Sequence, residues 1–181
     1  MGPPGVGKGT QADCIKNELM ILHLSTGEIL RAEVDAKSVI GRNAKLYMDF
    51  GRLVPDNILI EIVTERISKS DCQNGYILDG FPRTLPQAKG LDEMMHSIGH
   101  DLDCAISLTA NKDELLDRLI KRGEEAGRSD DNPDVIRNRQ KIYWEQTAPL
   151  LDFYHDKGIL KEVDGLGEIP EITKRILDVL K

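Results

Sequence analysis

Gly2-Pro3-Pro4-Gly5-Val6-Gly7-Lys8-Gly9-Thr10, residues 2–10, decides how the rest of the chain is read. Gly2 and the pair Gly7-Lys8 stand at the spacing of a phosphate-binding loop. Glycines let the backbone curl so that successive N–H groups converge on phosphate oxygens. A helix starting here adds about half a positive charge at the same point. Lys8 supplies a mobile full charge for the outer phosphates. The hydroxyl comes one position later than in the general motif, at Thr10, because Gly9 follows Lys8. Such a loop ordinarily follows a buried strand, and here Met1 alone precedes Gly2.

Outward from this loop, strands and helices alternate. A helix is expected from Gly9 to about Leu22, with Ala12, Ile15, Leu19 and Leu22 as its apolar stripe. Leu24-Ser25 reads as a short strand, and Ser25 or Thr26 as the cap of the next helix. Ser38 to Phe50 reads as another helix ended by Gly51, and Asp56 opens one with Ile58, Ile62, Val63 and Ile67 inside. Tyr76-Ile77-Leu78 is an apolar strand running into the loop Asp79-Gly80-Phe81-Pro82-Arg83, followed by a helix to Ser97. A buried strand spans Asp103 to Thr109, Asn111 caps a helix through Arg122, and Gly123 to Asn132 is a polar loop. One of Asp130 and Asp131 is expected to cap the following long helix, which carries Pro133 in its first turn and runs to about Asp156. A strand at Ile159–Val163 and a helix at Pro170–Leu180 close the chain. The pattern implies an α/β fold of three layers: a central parallel sheet, helices on both faces, ligands at the strands' carboxyl ends.

The chain has 181 residues, 40% of them hydrophobic and 30% charged, enough for one packed domain. Lys+Arg 24 against Asp+Glu 31 gives a net charge of −7, which argues against non-specific binding to nucleic acid or anionic membrane. A phosphate site must therefore concentrate its cations locally. Cys14, Cys72 and Cys104 lie far apart with no metal-ligand spacing, so neither a zinc site nor a disulfide framework is expected, and the compartment reads as a reducing cytosol. No apolar run reaches membrane-spanning length.

Arg31, Arg83, Arg118, Arg122, Arg128, Arg137 and Arg139 fall in loops or on helices beside them. Arg118 and Arg122 share a helix face; Arg137 and Arg139 cannot both face one way. Phosphoryl transfer explains such a set, because catalysis is mostly positioning and stabilisation of charge on the migrating group. Planar guanidinium grips phosphate bidentately. No general base stands near these motifs, as suits an acceptor that is itself an ionised phosphate. Asp79, at a strand's end, is placed to hold magnesium through water.

In order along the chain, G-P-P-G-V-G-K-G-T-Q (2–11), L-S-T-G-E-I-L-R (24–31), G-R-L-V-P-D (51–56), D-G-F-P-R-T (79–84) with Gln87, D-R-L-I-K-R-G (117–123), G-R-S-D-D (127–131) and Arg139 resemble the adenylate kinase family of nucleoside monophosphate kinases. The resemblance covers nearly the whole chain. It implies a single P-loop kinase domain, 1–181, with an AMP-binding arm at 25–54 and a short lid at 122–132. It implies reversible transfer from ATP to AMP with Mg2+ and without zinc. ATP would be held by Gly5, Val6, Gly7, Lys8, Gly9, Thr10, Arg118 and Arg122, with Gly167 beside the base. AMP would be held by Thr26, Arg31, Arg52, Leu53, Val54, Gly80, Phe81, Pro82, Arg83, Gln87, Arg128 and Arg139, with Gln87 at the adenine edge. The catalytic set would be Lys8, Arg83, Arg118, Arg128 and Arg139. A cytoplasmic monomer acting on small nucleotides is expected.

Two departures carry expectations. Pro55 stands where many members have a capping Thr or Ser, and Asp56 is expected to cap instead. The family's first strand is central in its sheet, so the chain is expected either to start late or to be less stable and active than its relatives. Three competing readings remain at this point. Asn111-Lys112-Asp113-Glu114 superficially resembles a guanine-reading motif, with Glu114 in the place of the required Asp; the others are a UMP/CMP-type kinase and an inactive nucleotide-binding module.

Overall fold

The computed structural model describes residues 1–111, 115, 118–120 and 132–181. Its regular elements run α1 (Lys8–Leu19), β1 (Leu22–Ser25), α2 (Thr26–Asp35), α3 (Val39–Met48), α4 (Asp56–Ile67), β2 (Tyr76–Asp79), α5 (Leu85–Ser97), β3 (Ala105–Thr109), α6 (Pro133–Ile142), α7 (Pro149–Asp156), β4 (Leu160–Asp164) and α8 (Ile169–Val179). Leu115 and residues 118–120 are also helical.

The strands form two parallel pairs. β1 pairs with β2, Leu22 opposite Tyr76 and Ser25 opposite Asp79; β3 pairs with β4, Ala105 opposite Leu160. Met1 lies along the free edge of β3, donating from its amine to the Ile106 carbonyl and accepting from Leu108 N–H at 3.0 Å. Ile77 of β2 packs with Leu108 of β3 and Val163 of β4 in one apolar cluster that also holds Val6 and Ile15. Helices α1 and α8 cover one face, and α5 and α7 the other, which gives the three layers read from the alternation.

Local chemistry explains the element boundaries. Ser25 caps α2 by accepting from Glu28 N–H, and Ser38 caps α3 by accepting from Gly41 N–H. Thr84 caps α5 in the same way, through Gln87 N–H. The apolar stripe of α1 is narrower than expected. Ala12 and Ile15 are buried, but Leu19 is 43% exposed, and Leu22 belongs to β1 because Met20 turns the chain through a left-handed φ of 54°. Near the other end of the helix Gln11 is buried, its amide donating to Ile169 O and accepting from Thr173.

Two further expectations are corrected. Pro55 is the residue before α4 and Asp56 does not cap it; the Asp56 carboxylate accepts from Thr84 Oγ1 (3.1 Å) and Gln87 Nε2 (2.7 Å) across the fold. The helix after Pro133 is not continuous. Residues Tyr143–Thr147 form a π turn, closed by Ala148 N–H to Tyr143 O at 2.8 Å, before α7 begins at Pro149. Proline has no N–H and its ring crowds the carbonyl four residues back, so an α-helix cannot run smoothly through it. The cap of α6 is Asn132, accepting from Val135 N–H; Asp130 and Asp131 lie outside the described residues.

Candidate active site

Helix α1 begins at the loop without a side-chain cap and without an acidic residue in its first turn. Its leading N–H groups and positive dipole end are therefore unneutralised by its own side chains, the condition for binding phosphate. Gly7 takes φ 93° with nothing within 4 Å of where a Cβ would stand, so the backbone faces an open space. Lys8 reaches back along the loop, donating to the carbonyls of Gly2 (2.7 Å) and Pro3 (3.0 Å). Val6 is buried in the core and fixes the loop's base, while Thr10 is exposed at the helix start. A Cβ on Gly9 would sit 3.5 Å from Asp79 Oδ2, so the end of β2 and the start of α1 meet here.

Asp79 is held ionised. Burial pushes its carboxyl up, but the His23 hydrogen bond and the charge of Lys8 outweigh burial and hold it below the usual carboxylate value. His23, on β1, sits between two acids: Nε2 is 3.4 Å from Asp79 Oδ2, and Nδ1 is 3.1 Å from Asp13 Oδ1 on α1. The Asp79 contact, helped by Asp13, raises the imidazole above its ordinary value against the opposing effect of burial. Sequence reading did not single out His23 or Asp13. The one signal available was the alternation Leu22-His23-Leu24, which turns His23 away from the core that holds Leu24.

A cleft opens beside this corner. Thr26, Arg31, Arg52, Leu53, Val54, Gly80, Arg83 and Arg139, all expected in the AMP site, line it together. Thr26 is anchored by donating to Asp79 O (3.3 Å). Arg83 is fixed through its guanidinium, Nε donating to Gly80 O at 2.7 Å, and through its backbone, whose N–H donates to Gln87 Oε1 at 2.7 Å. Arg52 lies over the Phe50 ring, 5.7 Å from its centroid. Phe81 and Pro82 are buried behind the cleft, Phe81 in the core with Leu59 and Leu91. Gln87 is fully buried, and both ends of its amide are engaged with Arg83 and Asp56. It buttresses Arg83 from behind, a role that motif reading did not anticipate.

On the loop's other side, Arg118 donates to Gly165 O at 3.4 Å, which brings it to the turn after β4 that carries Gly167. Arg122 and Arg128 lie outside the described residues, as does the expected lid except Asn132. Arg137 pairs with Asp134 on the surface, whereas Arg139 faces the cleft, resolving which of the two turns inward. Asn111 stands at a helix start, its carbonyl accepting from Leu115 N–H, which favours a cap over a base reader.

One carboxylate beside phosphate-directed N–H groups fits magnesium, which keeps waters and takes phosphate oxygens. Among the described residues no group of three His, Cys, Asp or Glu forms a protein cage for a metal. No helix among them is long and apolar enough to cross a membrane.

A phosphate loop at the start of α1, flanked by a second cleft rich in arginine, defines a P-loop phosphotransferase acting between two phosphorylated ligands. The comparisons narrow the class. The family described as "Adenylate kinase" matches residues 1–159. A protein of Leptospira biflexa named adenylate kinase is 50% identical over 177 residues, covering 98% of this chain and 95% of that one. Proteins of the same name from Stenotrophomonas maltophilia (46% identical; 100% of this chain, 97% of that one) and a Nocardioides species (47%; 99% and 94%) agree as closely. The chain belongs to the adenylate kinase family.

Proposed function

We propose a division of labour by which this enzyme moves the terminal phosphoryl group of ATP to AMP, reversibly, giving two ADP. The observation that carries it is the arginine-lined cleft meeting the uncapped start of α1 across Asp79. ATP phosphates lie in the loop Gly5–Thr10, with Lys8 on the transferred group. Arg118 and Arg122 hold the donor side, and Gly167 lies by its base. AMP occupies the cleft. Thr26, Leu53 and Val54 meet the base and ribose, Arg31, Arg83 and Arg139 take its phosphate, and Gln87, buried with both ends of its amide engaged, buttresses Arg83 rather than meeting the adenine edge.

Asp79 would hold magnesium through water. When bound, that ion would supply charge neutralisation on the nucleotide's phosphate oxygens. The acceptor is an ionised phosphate oxygen, so no general base is needed. The chain's own contribution is alignment and charge: Lys8 and the arginines stabilise negative charge spread over the migrating group. The arm at 25–54 and lid at 122–132 close over both nucleotides and exclude water, which would otherwise compete as acceptor. The enzyme works as a cytoplasmic monomer.

A coupled assay of ADP formation tests the reading. ATP with AMP should turn over, and UMP or CMP in AMP's place should not. Comparable rates with the pyrimidine nucleotides, or GTP bound more tightly than ATP, would defeat the adenine assignment.

A further inference from the structure

The π turn that follows the helix carrying Arg139 into the cleft holds Thr147, a residue that no phosphate motif includes. Thr147 is buried and donates its hydroxyl to the Arg83 carbonyl at 2.8 Å. The peptide units on both sides of Arg83 are thereby pinned, the N–H by Gln87 Oε1 and the carbonyl by Thr147 Oγ1. The π turn at Tyr143–Thr147 makes this possible. Eight residues of α-helix, at about 100° each, would leave Thr147 roughly 80° around the axis from Arg139. A π turn advances only about 80° per residue, so five residues take back roughly 90° and return Thr147 to the Arg139 side. Pro149 enforces the wider turn by denying the next N–H to an α-helical ladder.

We infer that Thr147, set in register by the π turn, is a positioning residue that fixes the Arg83 backbone so that its guanidinium meets the acceptor phosphate beside that of Arg139. The inference rests on the assignment of Arg83 to the acceptor phosphate. A side chain five bonds out amplifies a small backbone rotation, and about 1 Å of misplacement in such a site can cost roughly 100-fold in rate.

The test compares Thr147→Val, Thr147→Ser and Arg83→Ala in the full chain, with steady-state rates read separately against AMP and ATP. Thr147→Val should lower kcat by about 10- to 100-fold and raise KM for AMP several-fold, with KM for ATP within about twofold of the parent. Thr147→Ser, which keeps the hydroxyl, should return kcat to within about threefold. Equal impairment of serine and valine variants, or loss in the valine variant shared evenly between the two substrates, overturns the inference. So does a valine variant as active as the parent while Arg83→Ala is inactive. If Arg83→Ala is itself as active as the parent, the assignment of Arg83 fails instead. Should the valine variant not fold, Thr147→Ala is read by the same criteria. If neither folds while the serine variant does, Thr147 serves stability alone and the inference falls.

Discussion

Replacing His23 by leucine should destabilise the fold by an amount that depends on pH in a direction the structure fixes. The imidazole bridges α1 to the end of β2, with its side chain 4% exposed. Its partner Asp79 is 15% exposed and Asp13 is 52% exposed. A hydrogen bond to a charged group contributes about 1.5–3 kcal/mol when buried. The half-exposed Asp13 pair is screened and adds about 0–1 kcal/mol. The 3.4 Å separation to Asp79 is long for a hydrogen bond, so the total is taken at about 2–3 kcal/mol. For a domain of this size that corresponds to roughly 4–12 °C in Tm.

The sign follows from the two shifts. His23 titrates above its ordinary 6.5, so its contribution is complete below that value and is lost as pH rises through the folded-state value. Asp79 titrates below its ordinary 3.8, so its contribution is present above 3.8 and is lost only as pH falls through its own folded-state value. The gap between parent and His23→Leu should be widest between those limits and shrink towards alkaline pH. Thermal melts at about pH 5.5, 7 and 8.5 measure it. A gap that stays constant, or widens with pH, would mean that the imidazole is neutral throughout and that the acid–imidazole–acid bridge carries no charge.

Three shorter predictions accompany it. Gly80 has φ 78°, and a Cβ there would stand 2.9 Å from Arg83 Nη2 and 3.0 Å from Thr26 Oγ1; Gly80→Ala should displace the guanidinium and lower kcat/KM for AMP by about 10- to 100-fold, and an unchanged value would contradict the arrangement. The Tyr154 hydroxyl is buried without a hydrogen-bond partner among the described residues, so Tyr154→Phe should stabilise by about 1–2 kcal/mol, raising Tm by roughly 2–8 °C; a lower Tm would show that the hydroxyl is satisfied after all. Asp79→Asn removes the charge and keeps the shape, so the magnesium concentration for half-maximal rate should rise by about 10- to 100-fold; an unaltered magnesium dependence would remove Asp79 from the metal site.

What could be read from residues alone was local or periodic. The phosphate loop, a cap at Ser25 or Thr26, the short apolar strands and the arginines of the cleft follow from spacing, capping chemistry or motif. What escaped reading depends on partners distant in sequence. Asp56 looked like a helix cap because a carboxylate at that position usually is one; the side chains of Thr84 and Gln87, brought to it by the crossing of α4 and α5, compete for it and win. His23 and Asp79 are 56 residues apart and meet only because β1 and β2 pair in parallel. Leu19 looked apolar enough for the core, yet α1 turns off before its last turn reaches cover. Pro149 is a visible break signal, but nothing local to it says that the helix takes a π turn there rather than a kink.

The segment from α6 to α7 joins the parts of the chain on which the two nucleotides are proposed to bind. Gln140 Nε2 donates to Pro4 O in the phosphate loop (3.3 Å), and Asn138 Nδ2 donates to Phe50 O at the end of the arm (2.6 Å). Gly51 packs so closely on this helix that a Cβ would meet Arg139 Cγ and Val135 Cγ1 at 2.9 Å, and Thr147 holds Arg83. The phosphate loop, the Phe50–Gly51 turn and Arg83 are thus each tied to the stretch from Val135 to Thr147. In a reaction with almost no covalent chemistry for the protein to perform, the gap between donor and acceptor phosphates sets the rate. A sheet edge or a flexible loop would transmit every local fluctuation into that gap. A helix with one fixed phase change does not.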